Sequence, residues 1–266
     1  MSKINKALQE LDKLSQKVSE NNWLNNIHPL VKFILTLLYI SITVSFSKYD
    51  FYEILSLSIF PLIIFLSGVL SFREAIYRLR LILPLIIIIG IFNPIFDKTV
   101  LYSFYGLKIT RGMISFVTLL LKGFLSVLMS YIFIASTSIE KLCYALQIIH
   151  FPKILITEIL LIYRYISVFL SEIRRITQAY SLRAPNQKGI HFSAWGSLAG
   201  NLLLHSMDRA EEVYESMCLR GFENTLIYSA EIKFRIIDFI ILVLTAALII
   251  FFRAVPVFTL LGGLFV

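Results

Sequence analysis

Five apolar segments, each close to the length of a membrane span, constrain the fold of this chain more than any other feature. A transmembrane helix needs about 20 predominantly apolar residues. Lipid offers no hydrogen-bond partners to the backbone, so a spanning segment of this kind must be helical. The sequence therefore predicts an all-α polytopic membrane protein with about five transmembrane helices. The apolar tail, 254–266, is shorter than a sixth span requires. The predicted spans are 28–46, 54–70, 79–96, 113–135 and 236–252.

The composition agrees with this fold class. The chain has 266 residues, of which 58% are hydrophobic and 16% are charged, whereas soluble domains carry about 25% charged residues. A net charge of +8 would suggest a nucleic-acid partner for a soluble protein. In a membrane protein the cations hold loops on the cytoplasmic side. We therefore expect the lipid bilayer, and no nucleic acid, as a partner of this chain. Cys143 and Cys218 give neither a disulfide framework nor metal-ligand spacing.

A stretch of different character separates the fourth and fifth spans. Residues 137–233 contain ten Lys or Arg and nine Asp or Glu, while apolar residues still recur at helical spacing. Charges at Glu158, Arg164 and Glu172 disfavour lipid for the first of its two helical runs. Pro185 and Gly189 interrupt the pattern between the runs. The sequence therefore predicts a helical cytoplasmic domain with two long helices, Lys153–Arg183 and 193–220.

The chain is expected to divide into four regions. These are a polar, amphipathic N-terminal segment at 1–28, transmembrane helices 1–4 at 29–136, the cytoplasmic domain at 137–232, and the last span with its tail at 233–266. Four spans before a cytoplasmic domain place the N-terminus in the cytoplasm as well. Counts of Lys and Arg favour this orientation, although the loop at 97–111 carries three cations on the outside. The N-terminal segment is either a short amphipathic helix or a partly ordered leader.

Several kinds of site are missing from the sequence. There is no GxxxxGK[ST] loop, no HExxH, no GxSxG and no pair of intramembrane carboxylates. We therefore expect no catalytic residue, no cofactor and no metal in this chain. His205 and Asp208 are spaced as a ligand pair, but a polar helix face is the favoured interpretation because no third ligand is near. Lys122 and Asp238 are ionisable residues inside spans; Lys122 has no obvious partner, and packing or snorkelling is the favoured interpretation for both.

Two similar helix endings stand out in the polar region. Residues 179–184 read AYSLRA and residues 216–221 read SMCLRG. A single arginine in a last helical turn is explained by its interaction with the helix dipole. The same Leu-Arg pair occurs at both helix ends, which favours a shared docking role, because a guanidinium group forms paired hydrogen bonds with a carboxylate. Two such ends suit two equivalent acidic grooves on a dimeric partner.

Four stretches of the sequence resemble the transmembrane coupling subunit (T component) of energy-coupling factor (ECF) ABC importers. The resemblance is closest to the cobalt-type branch (CbiQ-like) and to the related vitamin-importer subunits (EcfT), and it covers most of the chain. The paired arginine motifs are its most specific part. The stretches are IHPLVKFILTLLYI, GIFNPIFD, the run from ASTSIEK to AYSLRAPNQKGIHF, and DRAEEVYESMCLRGF.

The resemblance implies a subunit of the plasma membrane that binds no substrate and has no enzymatic activity. It joins a substrate-binding membrane subunit (S component) to two cytoplasmic ATPases, which bind the ATP. Two coupling helices each end in an Ala-Arg-Gly-like tripeptide that enters a groove of one ATPase. The corresponding tripeptides in this chain are Leu182-Arg183-Ala184 and Leu219-Arg220-Gly221. Both arginines are retained, whereas both preceding leucines and Ala184 differ from the family pattern.

Uptake of a micronutrient, either cobalt or nickel ion or a vitamin, is therefore the expected function, with substrate choice made by another chain. The spans alone would also permit a self-sufficient secondary transporter or channel. A membrane enzyme is disfavoured because no catalytic set is present.

Overall fold

A computed structural model describes residues 23–67, 70, 72–97, 99–104, 107–184, 189–222 and 234–255. Most of these residues are helical, which confirms the prediction of an all-α polytopic protein, and a two-stranded hairpin is added to it within the described residues. The elements are α1 (Trp23–Asn26), α2 (Pro29–Ser45), α3 (Phe51–Leu57), α4 (Ile59–Leu66), α5 (Phe72–Phe96), β1 (Val100–Phe104), β2 (Leu107–Thr110), α6 (Arg111–Ser136), α7 (Ile139–Ile148), α8 (Lys153–Arg183), α9 (Phe192–Leu219) and α10 (Ile236–Ala254).

Each of the five predicted spans corresponds to apolar helix in the structure. By length and composition, α6 and α10 are able to cross a membrane, and shorter apolar helices occur at Pro29–Ser45, Phe51–Leu66 and Ile82–Phe96. The long helix α8 also meets the criteria of length and composition. Its assignment to a cytoplasmic domain rests on its charged residues and stays a prediction.

Contacts divide the described chain into two units. We call the described residues of Glu20–Thr137 and Ile232–Val266 the membrane unit, and the described residues of Ser138–Glu231 the inserted unit. The division lies beside the boundaries suggested by the sequence at 137 and 232. The inserted unit therefore interrupts the membrane unit in the sequence, between α6 and α10.

Helix α6 is the centre of the membrane unit. It contacts α2, α3, α4 and α5, and α2 also contacts α10. The apolar core between these helices includes fully buried Val31, Tyr39 and Ile249. The hydroxyl group of Tyr39 donates to the carbonyl oxygen of Leu57 at 3.0 Å, which satisfies its one polar group within an otherwise apolar environment.

The close approach of α5 and α6 depends on Gly112. A Cβ atom at this position would lie 2.6 Å from the carbonyl oxygens of Asn93 and Asp97. The Gly112 N–H donates to the Asp97 carbonyl at 3.2 Å, which holds the two backbones together. A larger residue would therefore force the helices apart at this end of the unit.

A β-hairpin joins α5 to α6. Strand β1 pairs antiparallel with β2, and the register shifts between Val100 and Tyr102. Residues 97–111 are a loop in the predicted fold, so the hairpin is an addition to it. Its strands are rich in β-branched and aromatic residues, which favour extended structure, but they are too short to stand out between two apolar helices.

The second predicted span differs in continuity from the expectation, whereas the third does not. The second span is divided at Ser58, whose hydroxyl group donates to the Leu55 carbonyl at 2.6 Å between α3 and α4. The third span is one continuous helix, α5, that contains both Pro84 and Pro94. Proline removes a backbone donor without necessarily ending a helix, and neighbouring helices support such residues within membranes.

The inserted unit consists of three helices. Ser138 caps α7 by accepting a hydrogen bond from the Lys141 N–H at 3.2 Å. The other end of α7 closes at His150, which has a φ of 62°, and the Phe151 N–H donates to the Leu146 carbonyl at 3.1 Å. The long helices α8 and α9 follow, and α8 contacts both α7 and α9.

Candidate functional site

The first arginine motif lies at the end of α8. Arg183 is the last helical residue, and the Ala184 N–H donates to the Tyr180 carbonyl at 3.0 Å. Leu182 is 75% exposed, and Arg183 is exposed as well. The helix end therefore presents an apolar side chain and a cationic side chain in consecutive positions.

Tyr180 also fixes the start of the following helix. Its hydroxyl oxygen accepts a hydrogen bond from the His191 N–H at 3.3 Å. The His191 ring nitrogen Nδ1 in turn accepts from the Ser193 N–H at 3.4 Å, which caps α9. The chain on either side of the first motif is thus tied together. Residues 185–188 of the linker, including Pro185, lie outside the described residues.

The second arginine motif ends α9 by a different geometry. Leu219 is the last helical residue, and Arg220 is the C-cap. Gly221 has a φ of 78°, its N–H donates to the Cys218 carbonyl at 3.0 Å, and the Phe222 N–H donates to the Met217 carbonyl at 3.1 Å. This arrangement is a Schellman motif, which favours glycine because the left-handed conformation strains residues with a Cβ atom.

Both motifs are presented without charge partners from the described chain. Within those residues, the side chains of Arg183 and Arg220 form no recorded hydrogen bond or ion pair, and Leu219 is 90% exposed. Other arginines on the same helices are paired, as Arg209 is with Glu212 at 3.0 Å. The two helix ends therefore share one chemistry, an exposed leucine beside a cation that is available to an acidic partner.

A groove of about 980 Å³ runs between α8 and α9 and extends to the second motif. Its lining is mainly apolar, with charged side chains interspersed. His205 and Asp208 line it, but no group of three potential metal ligands occurs among the described residues. The apolar side chains that line the groove include Tyr165, Phe169, Leu202, Val213, Met217 and Phe222.

A second set of polar residues lies at one end of the membrane unit, where α2, α6 and α10 meet. Asp238 is 4% exposed; it accepts a hydrogen bond from the His28 N–H at 3.1 Å and another from the Arg235 N–H at 3.0 Å. The Lys32 ammonium group donates to the Ser136 carbonyl at 2.6 Å. Asp238 is therefore a buried cap of two helix starts and does not snorkel to the surface.

Lys122 has partners that the sequence did not reveal. Its ammonium group donates to the carbonyl oxygens of Val44 at 3.1 Å and Phe46 at 2.5 Å, so it caps the end of α2. Arg253 lies over the Phe46 ring at 4.5 Å and 4.0 Å from Glu53. These contacts join positions 70 or more residues apart in the chain, and no local sequence signal predicts them.

Comparison with known proteins agrees with the resemblance found in the sequence. A family model described as CbiQ, cobalt transport protein, matches residues 20–229, which include both arginine motifs. An uncharacterized protein of Methanocaldococcus jannaschii is 27% identical over 226 residues, covering 76% of this chain and 77% of that protein. Because the family model matches most of the chain, the protein belongs to the CbiQ cobalt transport protein family, the family of the T components of ECF transporters.

Proposed function

We propose that this chain is the T component of an ECF-type importer and links two cytoplasmic ATPases to a membrane-embedded S component. The observation that carries the proposal is the presence of two exposed Leu-Arg helix ends in one unit, neither with a recorded charge partner among the described residues. In the proposed complex Leu182, Arg183 and Ala184 bind one ATPase, and Leu219, Arg220 and Gly221 bind the other.

The chemistry of the two helix ends suits a nucleotide-driven partner. An arginine that enters an acidic groove forms charge-assisted hydrogen bonds, which strengthen as water is excluded. The neighbouring leucine adds apolar burial at the same point. When ATP closes the ATPase dimer, its two grooves move, and the two helix ends move with them. ATP binding and hydrolysis belong to the partner subunits in this proposal.

One face of α8 is proposed to hold the S component. Leu155, Ile159, Ile162 and Ile166 recur at helical spacing, and all four side chains are exposed in the chain alone. A contiguous apolar face of this kind marks an interaction surface in a soluble part of a protein. The substrate, a cobalt or nickel ion or a vitamin, would be captured by the S component, and the family name favours cobalt.

In the proposed complex the inserted unit lies in the cytoplasm, because the ATP that the partner ATPases bind is available there. Seven charged side chains occur within the 31 residues of α8, and each charge at the centre of a bilayer is unfavourable by several kcal/mol. In α9, the described helix carries Asp208, Arg209 and three glutamates. A cytoplasmic location lets all of these side chains remain hydrated.

The test is co-purification of the ATPase pair with a double variant, Arg183→Glu with Arg220→Glu. We expect the variant to insert into the membrane and to lose the ATPases, because each groove would face a like charge. A matched control is Arg175→Glu with Arg209→Glu, which changes the same net charge on the same two helices away from the motifs. Retention of the ATPases by the first variant would refute the assignment.

The S-component surface is tested separately. The substitution Ile162→Asp places a charge in the middle of the exposed face of α8, where Ile162 is 67% exposed. We expect loss of the S component with the ATPases still bound. Joint loss of both partners would instead indicate a damaged inserted unit.

A further inference from the structure

The sequence passes between the two units twice. Contacts within the membrane unit tie Ser136, just before the first crossing, and Arg235, just after the second, to one turn of α2. The first crossing lies between Thr137 and Ser138; the second lies between Glu231 and Ile232, within residues 223–233, which are outside the described ranges. The turn extends from His28 to Lys32, where α2 begins. This convergence joins residues more than 100 and more than 200 positions apart.

At the first crossing the linker between the two units is very short. Only Thr137 and Ser138 separate the end of α6 from the start of α7. On the membrane-unit side, Lys32 holds the Ser136 carbonyl at 2.6 Å, and both Ser136 and Thr137 are buried. On the other side, Ser138 caps α7 through the Lys141 N–H. The linker between α6 and α7 is therefore only two residues long and is held by contacts on both sides.

After the second crossing, the Asp238 carboxylate joins two helix starts. Asp238 accepts the N–H of His28 through one oxygen and the N–H of Arg235 through the other. Hydrogen bonds to a charged group are about twice as strong as neutral ones, and a buried site keeps water from replacing them. The start of α10 thus cannot shift without moving the start of α2 or breaking a buried bond.

We infer that Lys32 and Asp238 are positioning residues that transmit movement of the inserted unit to α2. The inference rests on the proposed function, since ATP-driven movement of the inserted unit is its starting point. Lys32 acts through the Ser136 carbonyl and Asp238 acts through the backbone of His28 and Arg235. Neither residue contacts ATP, the transported substrate or an arginine motif in this assignment.

The experiment measures cobalt ions imported per ATP hydrolysed by the complete importer in liposomes. Lys32→Met and Asp238→Asn are compared with wild type and with Lys122→Met. The last variant is a matched control, because it also removes a lysine that caps helix carbonyls in the membrane unit, at Val44 and Phe46. A further variant inserts two glycines after Thr137, which lengthens the crossing and removes no side chain.

We expect Lys32→Met, Asp238→Asn and the glycine insertion each to lower the ratio by about tenfold, a typical size for coupling between sites, with the ATPases still bound and active. Lys32→Arg should restore the ratio, because its guanidinium group also reaches a carbonyl oxygen. Lys122→Met should leave the ratio at the wild-type value.

An unchanged ratio in Lys32→Met and in the glycine insertion would overturn the inference, and so would an equal fall in Lys122→Met. The insertion decides the matter if the charge variants fail to assemble. Failure of the proposed function is recognised separately, since it would appear as an absence of bound ATPases in the wild-type complex.

Discussion

The Lys122 ammonium group lies 2.5 Å from the carbonyl oxygen of Phe46, 76 residues earlier in the chain. The last carbonyls of a helix have no donors within the helix, and a membrane supplies few from outside. The Lys122 ammonium group, from the middle of α6, supplies hydrogen-bond donors to the last carbonyls at the end of α2. A lysine that looks isolated in the sequence is therefore a structural cap.

Replacement of this cap should destabilise the membrane unit. In Lys122→Met, the carbonyls of Val44 and Phe46 lose a charged donor, and an unsatisfied polar group costs about 1–3 kcal/mol. Thermal unfolding of the detergent-solubilised protein measures the effect. Lys48→Met is the control, because Lys48 is exposed and its recorded contact is with the Tyr49 ring at 5.2 Å. Equal melting temperatures for the two variants would contradict the role of Lys122.

Single charge reversals should separate the two docking sites. Arg183→Glu or Arg220→Glu alone leaves one helix end able to bind, so the ATPase pair loses bivalent attachment and its affinity falls by about a hundredfold. Titration of purified ATPases against the variants in detergent measures this. If one reversal has no effect and the other abolishes binding, the two motifs are not equivalent sites.

The two cysteines provide an internal probe of docking. Cys218 is exposed in the second motif and Cys143 is buried in α7. Burial, with a smaller contribution from the charge of Glu140, raises the pKa of the Cys143 thiol, which lowers its thiolate fraction at neutral pH. A maleimide should therefore modify Cys218 well before Cys143, and Cys143 should respond only as the pH rises above the usual thiol range. Bound ATPases should slow the reaction of Cys218 and leave that of Cys143 unchanged.

At position 150, where α7 ends, glycine should give a more stable protein than the native histidine. His150 adopts a φ of 62°, a conformation that costs residues with a Cβ atom about 1–2 kcal/mol. His150→Gly should therefore raise the unfolding free energy by about 1 kcal/mol, seen as a higher melting temperature. Gln147→Gly, inside the same helix, should lower it by a similar amount. A lower melting temperature for both variants would disprove this account.

Membrane orientation is open to direct labelling. Thr99 is exposed beside the hairpin, on the side that the sequence places outside the cell. In a Cys218→Ser background, Thr99→Cys should react with a membrane-impermeant maleimide in intact cells. Native Cys218 should react only after permeabilisation. The reverse pattern would place the inserted unit outside and would be incompatible with ATPase docking.

Local signals in the sequence were sufficient for most of the helical fold. Runs of apolar residues predict the five apolar segments, and the predicted bounds of α8 match the structure. The division at Ser58 has a local signal that was not used: Pro61 has no N–H to donate to the Leu57 carbonyl, which disfavours a continuous helix across this point. The hairpin at 100–110 was missed because its strands are four and five residues long.

The candidate docking site and the polar contacts of the membrane unit differ in how far the sequence reveals them. Gly221 predicts a left-handed helix end, because its role is local, and the structure has this geometry. The exposure of Leu182 and Leu219 depends on which other helices cover them, so it required the structure. The contact of Asp238 with Arg235, three residues away, is a local cap of α10, but its contact with His28, 210 residues away, and that of Lys32 with Ser136, 104 residues away, required the structure.

The contact between His28 and Asp238 also bears on how the protein is made. Helices α5 and α6 are neighbours in the sequence and pair closely at Gly112, so they are able to associate soon after both leave the ribosome. The start of α2 must wait for Asp238, which is synthesised only after the entire inserted unit. Until the inserted unit has been synthesised, α2 therefore lacks its contact with Asp238, and the nascent chain can complete this part of the membrane unit only afterwards.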